Sequence, residues 1–132
     1  MIPFAVKKFI FYCYRKGMAR MFGCTFCRII AGELPVQFLH EDSQCVAFQD
    51  MNPKAPVHIL VVPRSHIASL NQDPDEEMLG HLLATAARIA KQKGIDGSGY
   101  RTVINTNAEA GQTVFHLHVH VLGGRIMGWP PG

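Results

Sequence analysis

The chain has 132 residues, room for one domain with a modest core, and its apolar (48%) and charged (17%) fractions are ordinary for a globular protein. No apolar run approaches the ~18 residues of a membrane span. The net charge of +3 is uneven: Lys7, Lys8, Arg15, Lys16 and Arg20 crowd the first twenty residues with no acid, leaving eight basic side chains against ten acidic ones elsewhere. That remainder carries no basic footprint, so neither a nucleic-acid nor a membrane partner is expected.

Residues 1–20 read as an N-terminal extension, either disordered or non-native with Met21 as the natural first residue, or a basic, acid-free targeting segment. The domain is expected over residues 21–132. Its four cysteines, one of them in the extension, make no disulfide framework at this spacing, so a reducing cytoplasm is the expected compartment. A short helical turn is expected over residues 27–32, stopped by Gly32 and Pro35. Extended segments follow at 36–41 and 45–49, with a turn over 41–43 and a two-proline loop over 52–56. Residues 57–62 form an apolar run of strand length ended by Pro63.

The strongest helix signal covers residues 73–94. Asp73 suits the N-cap, Pro74 the first helical position and Glu76 a capping box. Met78, Leu79, Leu82, Leu83, Ala86, Ile89 and Ala90 recur at helical spacing, and Lys91, Lys93 and Gly94 suit its end. His81 reads as a surface or packing residue of that helix. Strands are expected at 100–106 and 114–122. This order points to an α+β domain with a mainly antiparallel sheet, one long helix and one short one.

The informative stretch is Gly111-Gln112-Thr113-Val114-Phe115-His116-Leu117-His118-Val119-His120-Val121-Leu122. On a strand, His116, His118 and His120 share one face, with Phe115, Leu117, Val119 and Val121 on the other. Three alternating histidines suit a metal cluster or phosphoryl chemistry. Gly111, Gln112 and Thr113, which offer backbone N–H groups and a hydroxyl to an anion, favour the second. One neutral imidazole nitrogen attacks phosphorus while the other is held by an acceptor. A second imidazole can hydrogen-bond the phosphate or pass a proton to the leaving group.

These residues resemble the His-x-His-x-His-x-x motif of the histidine-triad superfamily. The likeness runs from about Phe22 to Gly132. It includes Phe26 to Pro35, Gln49-Asp50-Met51-Asn52-Pro53, Ala55 to Pro63, Arg64-Ser65-His66-Ile67, and Gly123-Gly124-Arg125 through Trp129-Pro130-Pro131-Gly132. With the Trp-Pro-Pro-Gly end it is most similar to the nucleotide-binding, phosphoramidase branch. The resemblance implies a nucleophilic role for His118, an α-phosphate contact for His120, and support of the nucleophile's strand by His116. It also implies a hydroxyl donor at Thr113 and backbone donors at Gly111 and Thr113. Asp50 would hold the ribose hydroxyls. Asn105 and His58 would line the pocket, and Phe26, Ile30 and Met51 would pack the base unless they are ordinary core residues. A homodimer with one continuous sheet is implied, with Trp129 reaching the partner's site; the alternative is a monomer whose Trp129 covers its own core.

Cys24-x-x-Cys27 with His66 and His116 makes a Cys₂His₂ inventory suited to structural zinc, or else two reduced thiols. No cofactor is expected for catalysis. The implied activity is hydrolysis of the P–N bond of adenosine 5′-monophosphoramidate-like nucleotides to AMP. The alternatives are a dinucleoside polyphosphate hydrolase, a nucleotide-binding interaction protein with incidental activity, and a pure zinc-binding module.

Overall fold

The computed structural model describes residues 23–132, so the expectations for residues 1–20 and for Met21 lie outside the described residues. Among the described residues the first helix is a short one, α1 (Thr25–Ile30). It starts earlier than expected because the Cys24 side chain caps it, accepting from the Cys27 N–H. Two strands follow, β1 (His40–Glu41) and β2 (Cys45–Gln49). Then come β3 (Val57–Pro63), the long helix α2 (Glu76–Gln92), β4 (Tyr100–Val103) and β5 (Val119–Gly123). The strands pair antiparallel in the order β1-β2-β3-β5-β4, an open five-stranded sheet that confirms the α+β expectation.

Both faces of the centre of this sheet are covered, which explains why β2 and β3 read as continuous apolar runs. Cys45, Ala47, Ile59, Val61, Val119 and Val121 face α2 through Leu82, Ala86, Ile89 and Ala90. Val46, Phe48, Leu60 and Val62 face the other way, against Phe26, Ile29 and Ile30 of α1. Leu82 is fully buried, a contribution of about 2 kcal/mol from removing its side chain from water.

Helix α2 begins two residues later than its sequence signal. Asp75, not Asp73, is the N-cap, its carboxylate accepting from the Met78 N–H at 3.0 Å. Asp73 instead closes a 3-10 turn (Leu70–Gln72) in the left-handed region at φ 49. The expected strand over 114–122 is also shorter, because the chain joins the sheet only at Val119. In this register the next pair would be His118 opposite Val62, closed by a bond from the residue 63 N–H to the Leu117 carbonyl, and Pro63 has no N–H to donate. The Leu117 N–H turns instead to the Ile67 carbonyl at 2.6 Å.

Candidate active site

Although residues 116–118 lie outside the ladder, the alternation survives. Leu117, Val119 and Val121 enter the core under α2, while Phe115 is exposed. The histidines occupy the opposite side, where Phe26 stands edge-on to His118 (ring centroids 5.0 Å apart) and to His116 (5.9 Å). The rings of His118 and His120 meet at 4.9 Å.

The partners of each ring fix its tautomer, since a carbonyl can only accept and a backbone N–H can only donate. The His118 Nδ1–H donates to the His116 carbonyl at 2.6 Å. Burial lowers the His118 pKa, against the raising effect of that bond, so the ring is held neutral with a bare Nε2. His58, on β3, accepts the Lys54 N–H at Nδ1 (2.9 Å), so its proton sits on Nε2. That Nε2–H donates to His120 Nδ1 at 2.9 Å, placing the His120 proton on Nε2. Burial first, then the neighbouring His118 and His58, push the His120 pKa down to about 4, against the pull of Asp50. The result is one neutral acceptor nitrogen on His118 beside one neutral N–H on His120. This chain of donors is what the arrangement offers to chemistry at phosphorus.

Asp50 follows β2 directly, its Oδ1 accepting the Asn52 N–H at 2.8 Å and its Oδ2 standing 3.4 Å from His58 Nε2. Asn105 lies half-buried beyond β4, and Met51 is 90% exposed. Phe26 and Ile30 belong to the core layer, and Ile30, at 2% exposure, has almost no surface left to offer a ligand.

The loop before the histidines is held by Gln112, which is buried. Its Oε1 accepts the Asn107 N–H (2.8 Å) and its Nε2 donates to the Ala68 (2.7 Å) and Val114 (3.1 Å) carbonyls. Gly111 differs from the expected backbone donor. Its N–H closes a turn on the Ala108 carbonyl at 3.0 Å, and glycine is required there by φ 84. Thr113 stays exposed at the loop's end. Trp129 is 83% exposed, so it does not cover this chain's own core.

His116 is turned away from the other two rings. Its Nε2–H donates to the Pro63 carbonyl at 2.8 Å, leaving Nδ1 to face Cys24 Sγ (3.4 Å), Cys27 Sγ (3.5 Å) and His66 Nδ1 (3.2 Å). Cys27 Sγ lies 3.2 Å from His66 Nδ1. Around a tetrahedral zinc, S···N and N···N separations are about 3.3–3.6 Å, so the four donors already stand near zinc spacing. The Cys24 thiol is held far below its ordinary range, chiefly by its hydrogen bond with Cys27 and then by His116 and His66, against burial that raises it. A ready thiolate and a bare imidazole nitrogen are the donor forms zinc takes. The quartet fits a structural zinc.

Sequence reasoning gave no reading of His40, while His81, read as a surface or packing residue, is partly exposed on its helix. Both meet Asp42, at 2.6 and 2.7 Å, and no local signal joins positions 39 residues apart.

The HIT domain family model matches residues 31–127. An uncharacterized HIT-like protein of Synechococcus elongatus is 53% identical over 81% of this chain and 95% of its own length. Among solved structures, a HIT family hydrolase from Legionella pneumophila superposes with a TM-score of 0.80 at 45% identity, over 83% of this chain and 99% of that one. A histidine triad nucleotide-binding protein from Candida albicans (TM-score 0.72, 31% identity) covers 81% of this chain and 82% of its own. A zinc-bound histidine triad family protein from Mycobacterium smegmatis (TM-score 0.70, 33% identity) covers 80% and 77%.

Proposed function

Given that the chain belongs to the histidine-triad (HIT) family, whose solved neighbours include hydrolases, we propose that it is a purine nucleoside phosphoramidase acting on adenosine 5′-monophosphoramidate-like substrates. The observation that carries this reading is the His118 Nδ1–H bond to the His116 carbonyl, which aims a bare Nε2 out of the site.

In the first step His118 Nε2 attacks the α-phosphorus, and the P–N bond to the leaving amine breaks as the new P–Nε2 bond forms. The His120 Nε2–H hydrogen-bonds a phosphoryl oxygen, while the departing nitrogen takes a proton from water and leaves as the neutral amine. Water then attacks the α-phosphorus of the nucleotidyl-His118 intermediate, the P–Nε2 bond breaks as the P–O bond forms, one water proton returns to solvent, and AMP leaves with His118 neutral again. Asp50 accepts from the ribose hydroxyls, and Thr113 donates its hydroxyl near the phosphate. Asn105, Met51 and the Gly111–Gln112 turn border the nucleotide. The nucleotide-binding relative from Candida albicans supports a nucleotide as ligand.

Zinc, held by Cys24, Cys27, His66 and His116, would have no open position and would serve structure by fastening α1 to the base of the triad. The protein works as a homodimer. β4 is an edge strand, and exposed Leu83, Tyr100 and Trp129 would find cover in a second copy. Among the described residues no helix is long and apolar enough to cross a membrane.

The test is parallel hydrolysis of adenosine 5′-monophosphoramidate by the wild type and His118→Ala. Turnover lost in the variant supports the reading. A wild type that binds AMP but turns over neither this substrate nor diadenosine polyphosphates would replace it with a nucleotide-binding role.

A further inference from the structure

On the face of the sheet opposite the triad lies a second cluster of ligating side chains. His40 comes from β1, Asp42 from the β1–β2 turn, and His81 from the middle of α2. His40 Nε2 and His81 Nε2 both reach the same oxygen, Asp42 Oδ2, at 2.6 and 2.7 Å. The other carboxylate oxygen is tied down by the backbone, since Oδ1 accepts the N–H groups of Gln44 (2.7 Å) and Cys45 (2.9 Å). Arg64 Nε donates to the Asp42 carbonyl at 2.6 Å and fixes the turn itself. Oδ2 is therefore held in one place and presented to two imidazoles. Cys45 Sγ lies beneath it, 3.6 Å from Oδ2. The four donors all fall within 4.8 Å of one another.

We infer that His40, Asp42 and His81 form a site for a divalent transition cation, zinc first, separate from the Cys24–Cys27–His66–His116 quartet. Two imidazoles and one carboxylate are a donor set that zinc, cobalt and nickel accept. The backbone bonds on Oδ1 are the outer-shell support that orients a ligating carboxylate. The present contacts are hydrogen bonds, shorter than the about 3.3 Å between neighbouring donors on a tetrahedral ion with 2.0–2.1 Å bonds. To admit the ion, each imidazole moves its proton from Nε2 to Nδ1 and the donors separate by roughly 0.6 Å. The three side chains are 25–27% exposed, so the ion arrives from solvent and retains water on its open side. Bound there, it pins the outer edge of the sheet to α2. The inference does not depend on the proposed phosphoramidase activity.

The experiment is equilibrium dialysis of the untagged full chain against micromolar free zinc, with metal analysis of the wild type, His81→Gln and His40→Gln. The expected result is one equivalent fewer in each variant than in the wild type. Zinc also raises the thermal transition of the wild type further than that of either variant. Both variants replace partly exposed residues, and a circular-dichroism spectrum matching the wild type qualifies each; either one suffices to decide. Because the readout is a difference, it is independent of whether the quartet is filled. Equal zinc content in the wild type and a folded variant overturns the site.

Discussion

His58 provides the most informative perturbation, because it touches neither the attacking nitrogen nor the quartet. Its imidazole is 4% exposed, receives the Lys54 N–H, and donates to His120 Nδ1 at 2.9 Å. His58→Leu fills a similar volume but removes the donor, leaving His120 free to carry its proton on Nδ1 and present a bare Nε2 to the phosphate. Losing a buried hydrogen bond of this kind costs about 1–3 kcal/mol. Expressed in the transition state, that is roughly a 10- to 100-fold drop in kcat/KM for adenosine 5′-monophosphoramidate. His58→Gln retains an N–H that reaches His120 and recovers much of the loss. Steady-state kinetics, with thermal unfolding to confirm folding, measure both variants. A folded His58→Leu protein with wild-type kcat/KM would refute the donor chain, and so would a Gln variant no better than Leu.

Burial, then His118 and His58, hold His120 neutral down to about pH 4, and burial lowers the His118 pKa as well, so the acid limb of kcat/KM should lie below pH 6.5; a midpoint at 6.5 would show unshifted rings. His120 makes stability rise with pH between about 4 and 6.5, where the unfolded chain binds more protons than the folded one, and denaturant melts across that window test the sign. Cys24→Ser should remove one equivalent of zinc and lower the thermal transition, and unchanged zinc content would place the ion elsewhere. Leu82→Ala, at a fully buried position of α2, should cost about 2–5 kcal/mol in denaturant unfolding, and a cost below 1 would mean the core collapses around the gap.

Much of this architecture was readable in the chain because its signals are local. The β2 and β3 runs alternate between two covered faces, and the α2 stripe has the period of a helix packed on one side. Cys24, Cys27, His66 and His116 are identifiable by residue type alone, although only the fold shows that the Pro63 carbonyl turns His116 Nδ1 toward the thiols. What escaped depends on long separations or on competing local bonds. The start of α2 was misplaced because Asp73 and Asp75 are equally good caps, and the left-handed turn at Asp73 settles the choice. The His58–His120 contact joins residues 62 apart, which no spacing rule connects. The early end of the β5 ladder follows from a proline on the neighbouring strand, a feature visible only once the register is known.

That early departure from the ladder has a price in cohesion and a return in reactivity. A carbonyl inside a ladder is occupied by the neighbouring strand, whereas the His116 carbonyl, outside it, is open to the imidazole two residues on. Extending the ladder toward the loop would add backbone pairing and make the domain sturdier. It would also take away the acceptor that aims His118, so a sturdier variant of this kind would be a poorer catalyst. In this fold, robustness and reactivity compete for the same peptide unit.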